Sequence, residues 1–134
     1  MNSIESIYEK MAKIQVSSQQ MHNYINDLSE NEYALIATLY ILGRSGWERN
    51  YENNIDVDIY IEEKASEGVS VNQKMLDDHF LTNSNKKKQF NINHEHEKSN
   101  MSKVNGVYRH NWLSNKNNLI TEVEKGIQMM KEIK

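Results

Sequence analysis

The run from Tyr33 to Leu42 has no polar face. Thr38 alone interrupts its Tyr, Ala, Leu and Ile residues, Ser29 stands before it, and Gly43-Arg44 follow it. A helix that is apolar all round has to be enclosed by other elements. The chain is therefore expected to build its core around this segment. Ser29-x-x-Glu32 is a capping box, with a Ser oxygen for the third helical amide and a Glu reaching back to the cap amide. Gly43 is the natural residue for a left-handed stop, and Gly46 adds a second turn residue.

The flanking segments also read as helices. Ile4, Ile7, Tyr8, Met11 and Ile14 recur at spacings of three and four, which makes one apolar stripe. Val16-Ser17-Ser18 breaks that helix, and Ser17-x-x-Gln20 offers a box for a next one carrying Met21, Tyr24, Ile25 and Leu28. Ile55–Ile61 alternates strictly, as a strand does. Its candidate caps at Asn53, Asn54 or Asp56 and its helical surroundings favour a helix ending at Gly68. Val71–Phe80 reads as a short helix. Asn115, Asn117 or Asn118 caps a last one, striped by Leu119, Ile120, Val123, Ile127 and Met130. Gly126 inside it costs roughly 1 kcal/mol relative to Ala, so a close packing contact is expected there. Residues 82–106 are dominated by Asn, Lys, Ser, Glu and His, and read as a polar loop or arm with at most a short hairpin near Phe90–His96.

These readings imply an all-α single domain over residues 1–134, a small bundle of about five or six helices with a polar insertion at 82–106. The 134 residues have room for one modest core. The apolar fraction of 37% is low, which places part of the chain outside that core. An apolar central helix with so little other apolar material makes a homodimer a natural way to complete its burial. There is no cysteine, no apolar run of bilayer length and no signal-like start, so a cytoplasmic protein with no membrane contact is expected.

Leu28–Gly46, with its helix ending in Leu-Gly-Arg, and Trp112–Gly126, with Gly126 inside its helix, form two separated stretches. Together they resemble the DUF3775 family of small bacterial proteins of unknown function, and Gly126 falls where that family has its glycine. The chain departs from the family in having Ser45-Gly46 in place of an acidic turn, and Asn117 where a proline is usual. The resemblance implies a small helical fold and no assigned activity.

Several constellations invite a chemical reading. Asp56, Asp58, Glu62, Glu63 and Glu67 cluster in a segment, 44–68, that holds seven acidic and three basic residues. Such a cluster is ordinarily a solvated face; its functional reading is an acidic surface offered to a basic partner. Arg44, Trp47 and Glu48 lie beside it. Arg44 either complements the helix dipole or holds an anion. Trp47, Tyr51, Tyr108 and Trp112 either close the core or form a contact hot spot. Lys86, Lys87 and Lys88 suggest a phosphate contact, or simply a solvated turn. His94 and His96 are two apart, so a strand would aim both imidazoles one way as metal ligands, with His79 or His110 as a third; the plain alternative is a polar loop.

No nucleophile elbow, phosphate loop or dinucleotide turn is present. The expectation is a non-enzymatic interaction protein without a cofactor: a small acidic inhibitor of another protein or protein complex, such as an immunity protein or a phage or mobile-element inhibitor of a bacterial defence complex (an anti-CRISPR, for example). Its partner-facing residues would be Arg44, Trp47, Glu48, Asp56, Asp58, Glu62 and Glu63. A nucleic-acid regulator acting through Lys86–Lys88 is an alternative, although a net charge of −3 argues against nucleic acid as the partner. Metal binding through His94 and His96 is another.

Overall fold

The computed structural model describes residues 2–99, 103–104, 107–108 and 112–133. Its regular elements among these residues are helices, apart from one two-residue antiparallel pair. The helices are α1 (Asn2–Met11), α2 (Gln19–Asn26), α3 (Glu30–Ser45), α4 (Ile55–Ser66), α5 (Gln73–Phe80), α6 (Asn83–Ser99) and α7 (Leu119–Lys131). A 3-10 turn, Leu113–Asn115, precedes α7. The strands β1 (Lys103–Val104) and β2 (Val107–Tyr108) pair Lys103 with Tyr108 and Val104 with Val107.

The all-α reading therefore stands, with more helices than the five or six expected. The chain forms two compact units, one of Met1–Gly46 with Phe90–Lys134 and one of Trp47–Gln89.

In the first unit α3 is the hub. Tyr33, Ala34, Ile36, Ala37, Leu39, Tyr40 and Leu42 are buried, along with Thr38, whose hydroxyl donates to the Ala34 carbonyl at 2.7 Å. The Ser29–Glu32 capping box is formed in both directions. Most of the apolar surface of α3 is buried within the chain, while Leu35 and Ile41 are partly exposed. The main neighbour of α3 is α7. The two approach so closely that a Cβ on Gly43 would stand 1.8 Å from the Glu122 carbonyl oxygen, and one on Gly126 would stand 2.2 Å from that of Leu39. Gly43 is thus a crossing point and not the expected stop. The helix continues to Ser45, and Gly46 ends it at φ 75°.

Polar bonds tie the edges of this unit. The Tyr40 hydroxyl donates to Asn118 Oδ1 at 2.7 Å, so the residue that caps α7 serves α3 instead of its own helix. Trp112 packs edge-on against Tyr40, with ring centroids 5.5 Å apart. The N-cap of α2 is Ser18, one residue later than expected. Ser17 takes φ 60° and donates its hydroxyl to Asn117 Oδ1 at 2.9 Å.

The expected polar loop at 82–106 is replaced by α6 over Asn83–Ser99. Thr82 Oγ1 accepts from the Asn85 amide at 3.1 Å and starts the helix. Lysine is a good helix former, and no glycine or proline occurs between residues 69 and 105. Gln89 and Phe90 are its buried residues. The weak hairpin suggested near Phe90–His96 is absent; the observed pair lies at 103–108. Residues 100–102 and 105–106 of that segment lie outside the described residues.

Candidate functional site

The second unit has a thin core. Tyr51, Val57 and Leu81 are buried, with Trp47, Leu76 and Phe80 packed on them. Asn54 caps α4 by accepting from the Asp56 amide, and Asn72 caps α5 by accepting from that of Met75. The alternating segment is thus helical, as favoured. As a helix it buries only Val57 and leaves its isoleucines outside.

A side-chain clamp fixes α5 to the loop that leads into α4. Arg49 grips Asp77 with two bonds, Nε to Oδ1 at 3.0 Å and Nη2 to Oδ2 at 3.2 Å. The Tyr51 hydroxyl donates to the same carboxylate, and Gln73 Nε2 donates to the Tyr51 oxygen at 2.7 Å. Arg49's hydrogen bond is the main reason the Asp77 carboxyl is held below the usual carboxylate range; burial opposes it, and the Tyr51 bond adds to it. Burial is the main cause that pushes the Tyr51 phenol up, with the Asp77 bond second. Gln89 makes a second clamp. It accepts from the Glu48 amide and donates to the Glu48 carbonyl, both at 2.9 Å, so the Glu48 backbone is fixed while its side chain stays exposed.

On this frame α4 and α5 form a groove of about 470 Å³. Asp56, Ile59, Tyr60, Glu63, Lys64 and Glu67 line it from α4 and the turn after it; His79 and Phe80 line it from α5. Tyr60 stacks on His79 at 4.5 Å and meets Phe80 edge-on at 5.7 Å. Ile55 and Ile59 are 71% and 47% exposed, one turn apart on the same face. Lys64 pairs with Glu67 at 3.5 Å. Asp56, Asp58, Glu62 and Glu63 have no ion-pair partner among the described residues. Asp56 and Asp58 also complement the positive end of the α4 dipole, which is their structural use.

The other anticipated residues are dispersed. Arg44 is exposed in the last turn of α3, with its guanidinium 5.6 Å from the Tyr40 ring centre. Trp47 is partly buried, and the Lys86 ammonium lies 5.9 Å from its ring centre. Lys87 and Lys88 are exposed on α6. His94 and His96 do not share a face, because residues two apart on a helix point apart. The paired-ligand geometry expected from a strand is therefore lost. His94 stacks on Phe90 at 6.5 Å, and its Nε2 is buried without a hydrogen-bond partner among the described residues. His110 and the Tyr108 side chain lie outside the described residues. No group of three His, Asp or Glu side chains able to hold a metal comes together among the described residues.

One pairing was not anticipated. Ser114 Oγ is hydrogen-bonded to His22 Nδ1. Ser114 is 1% exposed, and the bond fastens the 3-10 turn to α2.

No helix among the described residues is long and apolar enough to cross a membrane. The chain matches no protein-family model, no curated protein and no solved structure.

Proposed function

We propose that this protein is a non-enzymatic interaction module whose partner-facing surface is α4. Its most concrete form is a small acidic inhibitor that covers a basic surface of another protein or protein complex. A toxin neutralised by its immunity protein and a bacterial defence complex blocked by a phage or mobile-element protein are the settings that suit it. A cytoplasmic setting suits it too.

The observation that carries this reading is the pairing of exposed apolar side chains with unneutralised charge on one helix. Ile55 and Ile59 are 71% and 47% exposed, and four carboxylates beside them have no ion-pair partner among the described residues. Exposed apolar area of this kind, rimmed by charge, marks interaction surfaces. The charge steers encounter and selects a partner of opposite sign, while the apolar centre supplies most of the affinity. Two clamps, Arg49–Asp77 and Gln89–Glu48, hold the loop leading into α4 and the helix after it. A surface fixed in advance loses less entropy on binding.

Capture from a lysate of the encoding organism tests the reading. A stoichiometric partner should be retained by the native chain and lost by the double variant Ile55→Ser/Glu62→Lys. Retention by both, or recovery of no partner, contradicts it.

A further inference from the structure

The groove between α4 and α5 has an architecture that narrows the class of ligand, and this inference rests on the interaction reading above. We propose that it receives one basic amphipathic helix of the partner, with an apolar side chain seated on Ile59, Tyr60 and Phe80 and lysines or arginines set against Asp56 and Glu63.

Three features lead to this. First, the apolar strip is narrow and straight. Ile55 and Ile59 follow one another along the α4 axis, about 6 Å apart at 1.5 Å per residue. Carboxylates flank the strip on both sides, with Asp56 and Glu63 towards the groove and Asp58 and Glu62 away from it, by their helical positions. The complement of an apolar line between two acidic rows is an apolar line between two basic rows, which is the surface of a basic amphipathic helix. Helix-in-groove recognition reads such anchors at spacings of three and four.

Second, the groove floor is aromatic. Tyr60 and His79 are stacked and Phe80 meets both edge-on, so the three rings hold one another in place and offer an aromatic seat. Its volume of about 470 Å³ lies in the range of ligand pockets, ~300–1,000 Å³. Such pockets in small-molecule sites are mostly apolar, whereas three carboxylates and a lysine edge this one.

Third, the charge is selectively open. Lys64 already pairs with Glu67, leaving Asp56 and Glu63 as the groove carboxylates with no ion-pair partner among the described residues. They are seven residues apart on one helix, two turns, which matches cations two turns apart on a helix lying alongside.

The test uses the full chain and a fluorescein-labelled 18-residue Leu/Lys peptide with leucines at helical spacing. A peptide of the same composition, with leucine and lysine ordered to give no helical stripe, is the control. Anisotropy at low salt should show the striped peptide binding about tenfold or more tightly than the control. Ile59→Ser and the pair Asp56→Asn/Glu63→Gln should each weaken it roughly fivefold or more. Ring protons of Tyr60, His79 and Phe80 should shift on titration, and circular dichroism should show that the variants keep the native fold. Equal binding of the two peptides, or binding indifferent to Ile59→Ser, overturns the proposal as simple charge attraction. A self-associating chain that becomes monomeric on Ile59→Ser also overturns it, by assigning the face to a second copy. If the striped peptide fails while capture of a partner still requires Ile55 and Glu62, the interaction reading survives and the helical ligand is overturned.

Discussion

The Cα of Gly43 lies against the backbone carbonyl of Glu122, so close that a methyl group there would stand 1.8 Å from the oxygen. Gly126 makes the reciprocal contact with Leu39 one turn away. Alanine in place of a mid-helix glycine would ordinarily gain about 1 kcal/mol. Here the opposing atom is backbone carbonyl and has no rotamer by which to yield. The overpacking cost of about 1–3 kcal/mol or more therefore wins. Gly43→Ala and Gly126→Ala should each lower the thermal midpoint, and the double variant should fall short of additivity because both act on one crossing. Thermal denaturation followed by circular dichroism reads this directly. A midpoint raised by either substitution would mean that α3 and α7 do not cross so closely.

The Asp77 clamp gives a pH dependence of known sign. Its carboxyl titrates lower in the folded chain than in the unfolded one, because Arg49's hydrogen bond favours the ionised form. The stabilisation is present above the unfolded value of about 3.9 and is lost as pH falls through the lower folded value. Asp77→Asn should therefore be less stable than the native chain at pH 7, and the difference should shrink steadily below about pH 4. Unfolding in urea at pH 7, 4 and 2.5 checks it. A difference that grows on acidification contradicts the clamp.

Tyr51→Phe tests the same network from its buried side. It removes a hydroxyl that donates to Asp77 and accepts from Gln73, at a cost of about 1 kcal/mol. The stacking of the ring on Phe80 at 5.4 Å is kept. Loss of the ring in Tyr51→Ala should cost several times more, about 3–5 kcal/mol, and unravel residues 47–89. Equal effects of the two substitutions would show that the hydroxyl network is the main tie.

Ser29→Ala removes one half of a complete capping box, whose bonds are 3.1 Å from the Glu32 amide to Ser29 Oγ and 2.8 Å from the Ser29 amide to Glu32 Oε1. The cost should be about 1 kcal/mol, and Ser29→Asp should restore most of it. A neutral Ser29→Ala would place the start of α3 elsewhere.

Helix α3 was legible because two independent signals agreed, a capping box and an apolar run. Gly43 reads as a stop in the sequence because the same residue type serves a left-handed stop and a tight crossing; the glycine facing it in α7, 83 positions later, distinguishes the two. Helix α6 was hidden because it has no apolar period: Phe90 is buried while Ile92 is exposed. The Thr82 cap and the absence of glycine or proline were the signals available. Of the candidate surface, the carboxylates of α4 could be read as a cluster. Their neighbours Tyr60, His79 and Phe80 could not be placed, because α5 returns to α4 through a turn that has no period of its own. The Arg49–Asp77 clamp spans 28 positions and joins two residues that are ordinary surface types when read singly.

The most direct measurement compares partner capture by the native chain, by Ile55→Ser/Glu62→Lys on α4, and by Lys87→Glu/Lys88→Glu on α6, each shown by circular dichroism to be folded. The account predicts one stoichiometric partner, held by the native chain and by the α6 variant and released by the α4 variant. A partner that stays with the α4 variant, or leaves only with the α6 variant, would contradict it.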